Sequence, residues 1–417
     1  MYFAPIFIII QNKMKTSLYL FTAVLLSFTS CNGNTRRGHT LEMTAFAKAH
    51  SNPMAIASIP TIHSRTAITS PDSYTIRVAL LLDTSNSMDG LIDQAKAQLW
   101  ELVNELSYAK CGNDITPSLQ IALYQYGNDG LNAREGYIQQ VLPLSTDLDE
   151  ISKQLFRLTT NGGNEYCGQV IQTSVSQLNW GTKDRDLNLI FIAGNEAFTQ
   201  GPTRYQDAAT NACEKDITIN TIYCGNYNEG VNTSWKDGAI RTKGSYIAIN
   251  SDKRTVHVPS PYDNRILEKN NALNATYVAY GALGHSKIAE QAEQDSNAQT
   301  YGSANAVKRA VSKSSHFYKN ENWDLVDAEA EEDFEYDDLD KGSLPAALKN
   351  KSTSEIKEYV AQKRKNREHI QDEIAALNKK RRDFVAKQTT KTDNQLRNAL
   401  VDAIKKQAES KDYTWQE

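Results

Sequence analysis

The stretch that decides the fold of this chain reads LLLDTSNSM and occupies residues 80–88. Its apolar residues stop at Asp83, and Ser85 and Ser87 follow at two-residue spacing before a helix-like pattern begins. An apolar run that passes through a polar turn into an amphipathic pattern predicts a buried strand followed by a helix. One carboxylate and two hydroxyls then share a tight loop at the carboxyl end of the strand, the edge at which open α/β sheets bind ligands.

Strand-like and helix-like segments alternate from Tyr74 onward. This alternation predicts an α/β fold with a doubly wound, mostly parallel six-stranded sheet and a helical C-terminal extension. The second and third strands have no helix between them, so we expect them to form an antiparallel pair at one edge. The predicted strands are residues 75–82, 119–126, 137–142, 187–193, 217–223 and 246–249, and the predicted helices are residues 91–108, 148–158, 170–178 and 205–213, with a short one near Trp235.

The D-x-S-x-S pattern of Asp83, Ser85 and Ser87 resembles the metal-ion-dependent adhesion site of von Willebrand factor A domains, which have a Rossmann-like fold. The resemblance covers roughly residues 74–255. It implies a bound divalent cation and a non-catalytic role in adhesion or assembly, in which an acidic side chain of a protein partner reaches the metal. Hard oxygen donors favour Mg²⁺, with Ca²⁺ or Mn²⁺ as alternatives. A competing interpretation is that the serines merely cap the helix.

Two further positions of the resembled site differ here. The family places a threonine in a Gly-rich loop, which reads TTNGGNEYCG at residues 159–168 and puts Glu165 at that position. It places an aspartate after the fourth strand, where this chain has Gly194, followed two residues later by Glu196. We therefore predict that Asp83, Ser85, Ser87 and Glu165 hold the cation and that Glu196 helps directly or through water. The alternative is an inactive site with a solvated Glu165.

Residues 1–31 are interpreted as a signal peptide that ends in a lipobox. Residues 14–31, MKTSLYLFTAVLLSFTSC, have a basic start, a short apolar run and small residues before Cys31, which is the order of a secretory signal. The ending resembles a bacterial lipobox, which implies that Cys31 is lipid-modified and anchors an envelope lipoprotein, facing the periplasm or the cell surface. Ordinary cleavage with an incidental Cys31 is the alternative. Residues 32–73 are interpreted as a flexible tether.

Four other cysteines follow in the chain. Cys167 in the Gly-rich loop and Cys224 at the end of the fifth strand are both expected at the carboxyl edge, so a disulfide between them would fix the metal loop to the sheet. Unbonded buried thiols are the alternative. Cys111 and Cys213 are expected at the opposite edge, with their pairing open.

The rest of the chain divides into three predicted segments. Residues 256–320 form a helical extension, residues 321–345 an acidic linker, and residues 346–417 a helical hairpin or coiled coil with a heptad-like apolar stripe. The hairpin either docks on the acidic stretch or pairs with another chain, which would make a homo-oligomer.

These observations favour one function over two others. The net charge of −4 gives no indication of nucleic-acid binding, and the chain contains no P-loop, G-x-S-x-G or H-E-x-x-H motif. The leading hypothesis is therefore a metal-dependent protein-binding module of an envelope lipoprotein. A structural scaffold that oligomerises through its C-terminal helices, and a hydrolase accessory subunit, are the alternatives.

Overall fold

The strand that ends at Asp83 is paired on both sides, which makes it the centre of the sheet. In the computed structural model, which describes residues 74–252, 258–388 and 395–416, this strand pairs in parallel with the two strands beside it. The strands of these described ranges are β1 (Thr75–Asp83), β2 (Ala109–Cys111), β3 (Ser118–Tyr126), β4 (Ile138–Ser145), β5 (Leu187–Gly194), β6 (Ile217–Cys224), β7 (Tyr246–Ile249) and β8 (Tyr413–Trp415).

Helices follow most of these strands. Within the same ranges they are α1 (Asp89–Leu106), α2 (Leu148–Arg157), α3 (Cys167–Gln177), α4 (Tyr205–Glu214), α5 (Tyr227–Asn232), α6 (Trp235–Ile240), α7 (Asp263–Asn274), α8 (Gly284–Thr300), α9 (Ser303–Lys313), α10 (Leu325–Ala328), α11 (Thr353–Ala386) and α12 (Gln395–Glu409). Of the helices in the described part of the chain, none has the length and apolar character needed to cross a bilayer.

The main sheet has six strands in the order β4-β3-β1-β5-β6-β7. All neighbours are parallel except β3 and β4, which are antiparallel. The predicted fold class is therefore confirmed, including the antiparallel pair at one edge. The predicted strands agree with the observed ones to within three residues at either end.

Helices cover both faces of the sheet because β1 and its neighbours are apolar on both sides. Side chains alternate along β1: Val78, Leu80 and Leu82 face a core shared with α1, α2 and α12. Ala79 and Leu81 face a second core shared with α3, α4 and α6. Asp83 follows at the carboxyl edge, between these two layers.

The C-terminal region folds back onto the sheet domain. Helix α9 packs on α1, α11 on α7, and α12 on α1, while β8 pairs with β2 in an antiparallel two-stranded sheet. All described residues belong to one compact unit. The division into segments along the chain stays a prediction, but the acidic segment is folded, since Leu325, Val326 and Tyr336 share a core with α11.

The apolar stripe of α11 is used inside the chain. Ile356, Val360 and Ile374 are fully buried. On the same helix, the Arg367 guanidinium pairs with Asp324 at 2.6 Å and Asp327 at 2.7 Å in the acidic segment. Of the two placements expected for this helix, docking on the acidic stretch is the one observed, so the stripe is not free to form a coiled coil with another chain.

A buried ion network joins the sheet domain to the helical extension. Arg309 on α9 is almost fully buried and donates to Asp149 on α2 at 2.8 Å and to Asp295 on α8. Lys313 donates to the same Asp295 at 3.0 Å. Burial alone would raise the pKa of Asp295, but the charges of Arg309 and Lys313 outweigh it and hold this pKa well below its usual value.

We predict that Asp295→Asn lowers the free energy of unfolding by about 3 kcal/mol, because it leaves Lys313 and part of Arg309 buried without a countercharge. Since the pKa of Asp295 is lower in the folded state, its contribution is present above about pH 4 and is lost as the pH falls further. Urea unfolding between pH 3 and 7 measures both effects. Glu293→Gln, an exposed acid on the same helix, is the matched control, and equal losses for the two variants would contradict the prediction.

Candidate metal centre

The end of β1 is held in place by β3. The backbone N–H of Thr84 donates to the carbonyl of Tyr126 at 2.8 Å, so Asp83 is fixed at the carboxyl edge. The Asp83 side chain is fully buried. Its Oδ1 accepts the backbone N–H of Ser85 at 2.8 Å, whereas its Oδ2 has no hydrogen-bond partner among the described residues.

The two serines of the motif lie beside this carboxylate. Ser85 is buried and Ser87 is exposed, and their hydroxyl oxygens are 3.4 Å apart. Ser85 precedes a 3₁₀ turn, Asn86–Met88, but its side chain makes no capping hydrogen bond to it. Helix α1 starts after Met88 and also has no side-chain cap. The capping interpretation therefore does not account for the serines.

Glu165 approaches Asp83 from the Gly-rich loop that precedes α3. It is only 6% exposed, in contrast to the solvated side chain of the inactive-site alternative. Gly127, at the end of β3, separates the two acids: a Cβ built there would lie 2.8 Å from both Asp83 Oδ1 and Glu165 Cγ. The structure thus brings Asp83, Ser85 and Glu165 together at the carboxyl edge.

The carboxylates of this cluster disturb one another electrostatically. Burial, followed by the charges of Glu165 and Glu196, raises the pKa of Asp83 to about 7, against the hydrogen bonds from Ser85. Burial and then the charge of Glu196 raise the pKa of Glu165 to about 7, against hydrogen bonds that include those of the Ser85 and Gln200 side chains. The negative charges of two buried acids and of the exposed Glu196 therefore act on one another, and the hydrogen bonds from Ser85 and Gln200 do not fully offset them.

Glu196 and its neighbour Asn195 lie on the loop after β5. Glu196 is exposed, and its backbone carbonyl accepts the indole N–H of Trp235 at 2.7 Å. Asn195 donates from Nδ2 to Ser87 Oγ at 3.0 Å, and no residue within the described ranges hydrogen-bonds to its buried Oδ1. Asn195 was not among the residues predicted from the sequence. Its position directly after Gly194, where the family pattern has an aspartate, could have indicated it as a site residue.

Gly194 has a steric reason to lack a side chain. A Cβ at this position would lie 2.7 Å from the Tyr126 hydroxyl and 3.0 Å from Asp83 Oδ2. The Tyr126 hydroxyl is itself held in place, since it donates to the carbonyl of Ala193 at 3.0 Å. An aspartate at position 194 would collide with both groups, so the second carboxylate enters from the opposite loop.

The residues of this cluster fit a hard divalent cation. Asp83 Oδ2 is a buried anionic oxygen without a partner, and the hydroxyls of Ser85 and Ser87 lie beside it. Within residues 74–252, 258–388 and 395–416, no three His, Cys, Asp or Glu side chains are grouped so as to hold a metal. Ligation here would therefore combine carboxylates with hydroxyl or amide oxygens, which suits Mg²⁺ better than a nitrogen- and sulfur-rich zinc site.

Comparison with known proteins identifies the sheet domain. Residues 78–237 match the family model of the von Willebrand factor type A domain. This segment is a VWA domain. The match covers less than half of the chain and lies within the residues predicted from the D-x-S-x-S pattern, and VWA domains are generally protein-interaction modules. No curated protein matches the chain.

Several solved structures resemble the VWA domain at low identity. BatB from Bacteroides thetaiotaomicron is 15% identical over 42% of this chain and 90% of BatB, with a TM-score of 0.32. The SpRpn10 VWA domain is 15% identical over 42% of this chain and 87% of its own, with a TM-score of 0.30. Proximal thread matrix protein 1 of the mussel byssus, whose MIDAS motif is occupied by zinc, is 13% identical over 43% of each chain, with a TM-score of 0.33.

The predicted disulfide between Cys167 and Cys224 is wrong. Cys111, Cys167, Cys213 and Cys224 are all free thiols. Cys167 lies in the core shared with α3, 3.8 Å from the Tyr126 hydroxyl, whereas Cys224 points into the core on the other face of the sheet. Both were correctly assigned to the carboxyl edge, but the sheet lies between them, so the alternative of unbonded buried thiols is the one observed.

We predict that Gly194→Asp, which restores the aspartate of the family pattern, destabilises the VWA domain by about 2 kcal/mol, because its side chain collides with Tyr126 and Asp83. Tyr126→Phe removes one of the two contacts, so the double variant should be more stable than the sum of the two single effects. Urea unfolding of the three variants measures this coupling. Strict additivity would contradict the steric explanation of Gly194.

Proposed function

We propose that this chain is a non-catalytic, metal-dependent protein-binding module of a membrane-anchored envelope lipoprotein. The VWA domain would hold a divalent cation, Mg²⁺ in the first place, at the loop after β1. The exposed side of that loop would contact the protein partner. The general role of VWA domains in protein interaction supports this proposal.

The observation that carries the proposal is the unpartnered Oδ2 of Asp83. A buried carboxylate oxygen without a hydrogen bond is costly to the folded state. Here a second buried acid, Glu165, lies on the other side of Gly127 and increases that cost. A divalent cation between the two carboxylates would offset both charges, which is the usual reason for placing acids so close together.

Each residue of the cluster would have a distinct role. Asp83 and Glu165 would supply the charge, and Ser85 and Ser87 the neutral oxygens. Asn195 would orient the Ser87 hydroxyl through its amide group. Ser87 and Glu196 are exposed, so a partner can approach the metal from their side. The alternative of a scaffold that oligomerises through the C-terminal helices is less well supported, because the stripe of α11 is already buried.

The membrane anchor is proposed from the sequence. Residues 14–31, with the lipidated Cys31 at their end, and the tether at residues 32–73 lie outside the described residues. The order of basic, apolar and small residues before Cys31 supports export and lipid attachment. In this arrangement the tether would give the VWA domain freedom to reach a partner from the membrane surface.

We predict that the purified protein binds Mg²⁺ or Mn²⁺ and that Glu165→Gln weakens this binding at least about tenfold, because one of the two buried negative charges is lost. Asp83→Asn should abolish binding. Isothermal titration calorimetry measures the affinities. Glu214→Gln, at the end of α4 next to the start of β6 and hence at the opposite edge of the sheet, is the matched control. The same affinity for wild type and Glu165→Gln would remove Glu165 from the metal shell.

We predict that EDTA releases the partner of the VWA domain. In pull-downs from envelope extracts with the protein as bait, bands retained in Mg²⁺ should disappear in EDTA and with Asp83→Asn, since both remove the cation. They should persist with Glu214→Gln. A partner that is retained equally under all these conditions would contradict metal-dependent binding and would favour the scaffold alternative.

We predict that Cys31 carries the lipid. Cells that express the chain and are grown with labelled palmitate should incorporate label into the wild type but not into Cys31→Ser, and the variant should move from the membrane to the soluble envelope fraction, because acyl chains supply the anchoring energy. Equal labelling of the two proteins would refute the lipobox interpretation. Cys213→Ser, which changes an exposed thiol, is the control for labelling at other cysteines.

A further inference from the structure

We infer that the partner binds the metal face through a neutral oxygen atom carried on a basic protein segment, and not through a carboxylate. This inference rests on the proposed function and specifies the chemistry of its partner. It differs from the acidic side chain that the family resemblance implies. Three features of the described residues support it.

The first feature is the net charge of the inner cluster. Asp83 and Glu165 lie on either side of Gly127, and the charge of Glu196 acts on both. Two carboxylates at one divalent cation cancel its charge and leave no net positive charge to attract an anion. The exposed Glu196 on the neighbouring loop adds a negative charge, so the metal face would repel an approaching carboxylate after the cation has bound.

The second feature is the outer rim, which adds further acids. Gly162 of the Gly-rich loop lies between Asp129 and Asn86, since a Cβ built on it would be 3.5 Å from both Asp129 Oδ2 and Asn86 Nδ2. The exposed Asp129 is therefore near the D-x-S-x-S segment, to which Asn86 belongs. Asp89, in the first turn of α1, accepts the hydroxyl of Thr160. The ammonium of Lys96 offsets Asp89 in part, which leaves Asp129 as the stronger attraction for a cationic side chain.

The third feature is the supply of neutral polar groups between these acids. Asn86 and Ser87 are exposed at the loop. Asn195 donates to Ser87, and its buried Oδ1 has no hydrogen-bond partner among the residues that the structure describes. Amides and hydroxyls hydrogen-bond readily to backbone amides and carbonyls. A main-chain or side-chain amide oxygen of the partner can therefore reach the metal while its Lys or Arg residues meet Asp129 and Glu196.

The test uses the full chain loaded with Mn²⁺, with acetate and acetamide as probes. Water-proton relaxation reports how much Mn²⁺-bound water each probe displaces. We expect acetate to bind wild type no better than acetamide does. Glu196→Gln, an exposed position that leaves Asp83 and Glu165 intact, should raise the affinity for acetate about fivefold, the effect of one nearby unit charge at high dielectric. Glu214→Gln should leave it unchanged.

A second measurement tests the basic segment. Fluorescence anisotropy with labelled oligolysine and oligoglutamate peptides should show metal-dependent binding of oligolysine alone, weakened about tenfold by the combined Asp129→Asn and Glu196→Gln substitutions and not by Glu214→Gln. Mn²⁺ binding with ready displacement of its water by acetate in the wild type would overturn this inference alone. A wild type that binds no Mn²⁺ would overturn the proposed function as well.

Discussion

The site depends on one buried carboxylate, Asp83, at the end of a strand that pairs with a neighbouring strand on each side. Asp83 cannot move, because β1 is held by β3 on one side and β5 on the other. Its Oδ1 accepts a hydrogen bond from the backbone of Ser85, but no group in the described part of the chain hydrogen-bonds to its Oδ2. The surrounding loops therefore meet at a buried carboxylate oxygen that a bound cation would satisfy.

The acid opposite Asp83 enters from the Gly-rich loop because the loop after β5 has no room. The Tyr126 hydroxyl and Asp83 itself occupy the space into which a side chain at position 194 would project. Glycine is therefore the residue that fits there, and Glu165 approaches across Gly127 instead. With Glu165 in place of an aspartate at position 194, two carboxylates still lie near the proposed cation. A directly bound Glu165 would, however, reduce the attraction of the cation for an acidic partner.

The C-terminal region packs on the VWA domain without covering the proposed metal site. Helices α9 and α12 pack on α1, and β8 pairs with β2, the strand that follows α1. The ion network of Asp149, Arg309 and Asp295 connects α2 to the helical extension. Because these contacts lie along the flanking helices and at the far end of α1, the exposed Ser87 and Glu196 remain open to a partner.

The sequence by itself determined the six strands, their α/β order, and Asp83, Ser85 and Ser87, because apolar periodicity and the turn after β1 are local properties of the chain. Only the tertiary structure decided which distant groups meet there. In the fold, Glu165 is buried, Glu196 is exposed, and Asn195 hydrogen-bonds to Ser87. The Tyr126 hydroxyl, from another strand, leaves no room for a side chain at Gly194. It also placed Cys167 at the start of α3, in the core on one face of the sheet, and directed Cys224 of β6 into the core on the other face. The pairing of β8 with β2 was not predictable from a three-residue strand, because its partner lies about three hundred residues earlier in the chain.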